Sequence, residues 1–136
     1  MSTPERILVI DDSEVVLSRI KMALISTGYD VITTTQTVGV ARYLRGCSLV
    51  IIDYHMPGFN GGAVMSLFHS ALEGAQHKPL FYLYTTDPEA AGTAAELGFD
   101  GYFSRKGDLS ALAPQVKAAL RLSKLSKLTH NKSVPR

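Results

Sequence analysis

Runs of apolar residues that stop abruptly at acidic or hydroxyl side chains recur along this 136-residue chain. The most informative run lies in residues 48–61, SLVIIDYHMPGFNG, where Leu49, Val50, Ile51 and Ile52 lead into Asp53. A Met-Pro-Gly break and the pair Gly61-Gly62 come before the next helical pattern. An uninterrupted apolar run of this length suits a central strand of a parallel sheet, buried on both faces. In such sheets ligands and chemistry sit just beyond the carboxyl ends of the strands, and Asp53 stands at that place.

The flanking patterns extend this reading. Residues 6–10 (RILVI) predict a strand ending in Asp11-Asp12, and Ser13 caps a helix through Val16, Ile20, Met22 or Ala23, and Leu24, closed near Gly28. The β-branched stretch 29–34 predicts a second strand. Residues 38–44 predict a weak helix, interrupted by Gly39 and ended by Gly46. A third helix starts near Gly62 and runs through Val64, Leu67, Phe68 and Leu72 to Gly74. Pro79 opens a fourth strand, LFYLY, in which Tyr82 and Tyr84 alternate with Phe81 and Leu83 as strand packing requires; Thr85-Thr86-Asp87 come next. Pro88 begins a helix over 89–97, closed by Gly98. A short strand over 101–104 leads to Arg105-Lys106-Gly107, and Asp108 caps a last helix carrying Leu109, Leu112, Val116, Leu120 and Leu122. Strand and helix thus alternate five times with short connections, which favours an α/β fold with a parallel sheet and helices on both faces. No internal repeat is visible.

Composition narrows the setting. The length fits one domain with a real core. The single cysteine, Cys47, has no partner for an intramolecular disulfide and reads as packing, which favours a reducing compartment. No stretch is long and apolar enough for a membrane helix, and the N-terminus has no apolar segment of the kind that begins a secretory signal. A cytoplasmic protein without a membrane partner is the expectation. The net charge of +2 conceals an asymmetry: residues 1–108 carry 12 acids against 8 Lys and Arg, whereas residues 109–136 carry six Lys and Arg and no acid. The tail, with Leu122, Leu125 and Leu128 every third residue and lysines between, reads as a basic extension of the last helix or as a disordered end, with a contact to an acidic partner or nucleic acid as the other reading. His55, His69, His77 and His130 have no mutual spacing that suggests a metal site.

If the first and third strands are neighbours, Asp11, Asp12 and Asp53 converge on one patch. Their mutual repulsion is relieved by protonation or by a hard divalent cation, and Mg²⁺ fits because it takes few protein oxygens and keeps waters for a phosphate. With Thr85 and a base after the fifth strand added, the chain resembles the receiver domains of two-component response regulators over about 6–122. The motifs that carry the resemblance are VIDDS (9–13), IIDYHMPGFNG (51–61), LYTT (83–86) and GFDGYFSRKGD (98–108). The resemblance implies a flavodoxin-like sheet of five parallel strands in the order 2-1-3-4-5, a receiver domain over 5–122 and a basic extension over 123–136. It implies Asp53 as phospho-acceptor, Asp12 as a direct Mg²⁺ ligand, Asp11 acting through a metal-bound water, and the backbone carbonyl of His55 as a further ligand. Thr85, rather than Thr86, is the implied switch hydroxyl, and Tyr102 the aromatic that swings inward with it. Counted from Gly98 without a gap, the family's lysine position falls on Arg105, three residues after Tyr102; Lys106 is then expected to point to solvent and is the alternative for that role.

The function so implied is that of a bacterial signalling switch and not an enzyme on a separate substrate. Asp53 accepts a phosphoryl group from a histidine kinase or phosphotransfer protein, and the domain assists its own phosphorylation and dephosphorylation. It signals to a downstream effector protein through the fourth helix, fifth strand and fifth helix; a nucleic-acid partner is not expected. The second function class is a pseudo-receiver, a constitutive interaction module favoured by Arg105 and opposed by the acidic triad. A hydrolase forming an aspartyl-phosphate usually carries a second acid two residues after its nucleophile, where this chain has His55. After residue 122 there is no room for an effector domain, so the chain is expected to be a stand-alone regulator or the receiver piece of a longer protein.

Overall fold

The structure, a computed structural model, describes residues 4–54, 56 and 60–133, with side chains described through Ser126. Its strands are β1 (Arg6–Ile10), β2 (Asp30–Thr34), β3 (Leu49–Asp53), β4 (Leu80–Tyr84) and β5 (Gly101–Phe103). Between and after them run α1 (Glu14–Ile25), α2 (Ala41–Leu44), α3 (Gly61–Ala71), α4 (Pro88–Thr93) and α5 (Leu109–Ser133). All neighbouring strands pair in parallel, in the order β2-β1-β3-β4-β5. That is the flavodoxin-like sheet expected, with β3 at its centre and every residue of β3 buried.

Strand alternation divides the core into two. Leu8 and Ile10 of β1, Val50 and Ile52 of β3, and Phe81 and Leu83 of β4 pack against Leu44 of α2 and Met65 and Phe68 of α3. Ile7, Val9, Leu49, Ile51, Tyr84 and Phe103 pack on the other face against Leu17, Ile20 and Leu24 of α1 and Leu112 and Val116 of α5. The first helix starts where its cap predicts: Ser13 Oγ accepts from the Val16 amide at 3.2 Å.

Two helices are shorter than their patterns predict. The second begins only at Ala41, because Gly39 takes φ +82 and keeps the preceding residues out of helical geometry. The fourth ends at Thr93 rather than Leu97, and Ala94–Gly98 continue as turns closed by bonds such as Gly98 N to Ala95 O at 3.1 Å. The last helix continues without a break through Ser133, although Pro114 within it removes one backbone donor.

Gly101 opens β5 against Tyr82, whose ring stacks on Phe103 with centroids 4.4 Å apart. A Cβ at residue 101 would stand 2.8 Å from Tyr82 Cε2 and 3.0 Å from Cζ. We expect Gly101→Ala to displace that ring and destabilise the domain by about 1–3 kcal/mol, read as a lower midpoint in urea unfolding; an unchanged midpoint would show that the ring gives way freely.

Candidate functional site

The site is a consequence of register. Ile10 pairs with Ile52, and Asp53 pairs with Tyr84, so Asp11 and Asp53 emerge side by side at the carboxyl edge of the sheet. Alternation then places Asp11, Asp53 and Tyr84 on the face that packs against α1 and α5. Asp11 is 2% exposed and Asp53 4%, while Asp12 is open to solvent. Asp11 Oδ1 also accepts from the Ser13 amide at 2.9 Å, which ties the acidic pair to the start of α1. One oxygen from each of Asp11, Asp12 and Asp53 lies within 4.8 Å of the others.

The cation at this cluster is Lys106. Its Nζ stands 2.8 Å from Asp11 Oδ2 and 2.7 Å from Asp53 Oδ1. The gap-free expectation that Arg105 fills this place and Lys106 points to solvent is therefore corrected: Arg105 is exposed and lines a groove with Thr86, Pro88 and Tyr102. The physical reason is that β5 ends at Phe103, so alternation does not govern residues 104–107. Gln115 of α5 grips Ser104, accepting from its amide at 3.0 Å and donating to its carbonyl at 3.1 Å. Arg105 then takes φ +59, the only described non-glycine residue with positive φ, and Gly107 takes φ +102. The resulting bulge, closed by Asp108 N to Arg105 O at 2.9 Å, turns Lys106 back over the sheet edge.

Thr85 comes directly after β4 and is 2% exposed; its amide donates to Phe103 O, and its Oγ1 accepts from the Asp87 amide at 2.9 Å. Asp87 in turn caps α4 by accepting from the Glu89 amide. Thr86 is exposed, as is Tyr102 at 47%. His55, expected to lend a backbone carbonyl, lies outside the described residues.

Burial pulls the Lys106 pKa down, but its hydrogen bonds and charge interactions with Asp11 and Asp53 outweigh that, and the net shift is upward. The carboxylates offer a hard, anionic oxygen set that suits Mg²⁺. Tyr84, which strand alternation alone accounts for as packing, also belongs here. Tyr84 is 1% exposed, and Lys106 Nζ lies over its ring, 6.0 Å from the centroid. The only sequence signal was its position next to Thr85, because the contact depends on where the bulge sends Lys106.

A central parallel sheet with a buried carboxylate pair, a lysine across it and a hydroxyl just beyond the end of the adjoining strand defines a receiver-type architecture. The family model for the response regulator receiver domain matches residues 7–117, and the chain belongs to that family. Among solved structures, the chemotaxis response regulator CheY4 of Vibrio cholerae is 20% identical, with a TM-score of 0.69 over 85% of this chain and 98% of that one. A CheY-like receiver domain protein from Methanospirillum hungatei JF-1 is also 20% identical, with a TM-score of 0.73 over 90% and 98%. The BeF3-activated DrrB receiver domain is again 20% identical, with a TM-score of 0.69 over 87% and 98%. These likenesses are of fold. No curated protein sequence matches the chain significantly.

Replacing Lys106 by Met leaves two buried carboxylates facing each other. We expect a loss of about 1–3 kcal/mol at neutral pH, less than for a fully buried pair because the lysine side chain is 21% exposed. Since the folded pKa is raised, this stabilisation persists up to the ordinary lysine value of about 10.4 and fades above it. Urea unfolding of both proteins across that range checks it: the difference should close only at alkaline pH, and a gap that stays constant would contradict the ionic origin.

Proposed function

We propose that this domain is a phosphorylation-controlled switch in a two-component system, taking a phosphoryl group from a phospho-histidine kinase or phosphotransfer protein onto Asp53. The observation that carries this reading is the buried Asp53 carboxylate with Lys106 Nζ 2.7 Å from one oxygen and Asp11 and Asp12 beside it. Asp11, Asp12 and Asp53 would hold Mg²⁺, together with the backbone carbonyl of His55. When bound, the ion neutralises negative charge on the incoming phosphoryl oxygens. Asp53 supplies the attacking oxygen: an O–P bond forms as the donor's P–N bond breaks, and the leaving imidazole nitrogen takes up a proton. Lys106 supplies a fixed positive charge, and closure of the site by neighbouring side chains positions the reactants.

The switch hydroxyl in this reading is Thr85. Its oxygen already accepts from the Asp87 amide, which leaves its own proton available for a phosphoryl oxygen. Movement of Thr85 opens space on the groove it shares with Tyr102, Thr86, Pro88 and Arg105, and Tyr102 turns inward from its exposed position. Arg105 then belongs to the readout face of α4, β5 and α5, where a downstream effector docks. The alternative of a constitutive, unphosphorylated module depends on Arg105 in the lysine position, and Lys106 Nζ 2.7 Å from Asp53 disfavours it.

Incubation with Mg²⁺ and acetyl phosphate, with intact-mass measurement, should add one phosphoryl group to the protein and none to Asp53→Asn. Equal labelling of the Asn variant would sink the acceptor assignment. On activation by beryllium fluoride, backbone NMR shifts should concentrate in residues 85–108. Changes confined to α2 and α3 would contradict readout through α4, β5 and α5.

A further inference from the structure

Tyr84 is the largest fully buried side chain of the domain, and its hydroxyl is the one buried side-chain polar atom, among the described residues, that closes no hydrogen bond of good geometry. Burial pushes its pKa up, and the nearby Gly107 amide and Lys106 ammonium offset that only in part. Leaving a buried hydroxyl poorly paired is costly, whereas a leucine or valine would fill a strand position of this kind without that cost. A ring at this place offers what an aliphatic side chain does not, an electron-rich face. Its surroundings show what that face meets. In register Tyr84 lies opposite Asp53 on one side and Phe103 on the other, and it points to the same face as Asp11 and Asp53. Lys106 Nζ lies over the ring, and the side chain reaches beneath the bulge that carries the lysine.

We propose that Tyr84 is a positioning residue for Lys106: the face of its ring, not its hydroxyl, holds the ammonium at the acidic cluster while its carboxylate partners change. This rests on the proposed phosphoryl transfer but concerns a contact that exists without it. Of the three described groups around the ammonium, the Asp53 carboxylate gives way to an acyl phosphate whose charge lies farther out on the phosphoryl oxygens, and Asp11 is drawn toward any bound cation. The electron-rich face of the ring is altered by neither event. Arg105 makes such support necessary, since a non-glycine residue at φ +59 is held there only by its surroundings. Gln115 clamps the bulge at its start and Tyr84 supports it at the lysine.

The contact is read first without any phospho-donor, from the side-chain Hε and Cε NMR resonances of Lys106. Tyr84→Phe should leave them in place, and Tyr84→Leu should move them as the shielding by the ring is lost. A Tyr84→Met variant serves if the leucine variant does not fold. The second reading is a four-protein cycle of acetyl phosphate labelling rates with Mg²⁺: wild type, Tyr84→Leu, Lys106→Ala and the double variant. Tyr84→Leu alone should be slower by roughly fivefold, Tyr84→Phe should recover the rate, and Tyr84→Leu should add nothing once Lys106 is alanine. Equal slowing in both backgrounds, or a Phe variant as damaged as the Leu variant, would overturn the proposal by showing a role in packing or a role of the hydroxyl. If wild type itself takes no phosphoryl group, the phosphotransfer reading fails, while the lysine resonances still decide the contact.

Discussion

Two buried carboxylates that share one ammonium are the constraint around which this domain is arranged. Asp11 and Asp53 sit at the ends of adjacent parallel strands because Ile7–Ile10 and Leu49–Ile52 are apolar enough to be buried on both faces and pair in one register. Charges so placed are tolerated only when compensated. Lys106 supplies the compensation from the opposite side of the site, within hydrogen-bond reach of both carboxylates. An arrangement with this charge balance is poised, since whatever changes the charge on Asp53 changes the bonding of Lys106.

The lysine's approach depends on a short piece of irregular backbone. Ser104 is fixed by Gln115, Arg105 adopts a left-handed conformation, and Gly107 supplies a second positive φ, which in a glycine is inexpensive. Asp108 then starts α5, bonding through its carboxylate to Ser110 at 2.6 Å, and that hydrogen bond holds its pKa below the usual value. The bulge thus joins the acidic cluster to the start of a helix that runs unbroken to Ser133. On its outer side Arg105 stands in the groove with Tyr102, so one short turn faces both the buried charges and the exposed surface of α4 and β5.

Much of the fold was legible because burial writes itself into composition. The unbroken run of β3 and its terminal Asp announce a central strand, and Ser13 announces the start of α1 with its cap. The site was legible to the extent that it depends on strand ends: Asp53 ends a strand, Asp11 and Thr85 each come directly after one, and all three are buried there. A regular period misleads where regular structure ends. Alternation through Ser104 points Arg105 inward, but the strand stops at Phe103 and a side-chain clamp from Gln115 bends the chain. The Ala-rich stretch after Pro88 likewise reads as a longer helix, yet the helix ends at Thr93 and gives way to turns. The role of Tyr84 could not be read at all, because it is defined by a lysine that only the bulge brings near.

Comparing Lys106→Ala with Arg105→Ala in their rates of labelling by acetyl phosphate in Mg²⁺, read by intact mass, decides whether Lys106 rather than Arg105 is the cation of the site. On the proposed transfer to Asp53, loss of the lysine charge should slow Lys106→Ala by about 10²-fold, with Arg105→Ala labelled close to the wild-type rate. A silent Lys106→Ala beside a crippled Arg105→Ala would instead place the arginine at the phosphoryl group and the bulge out of register.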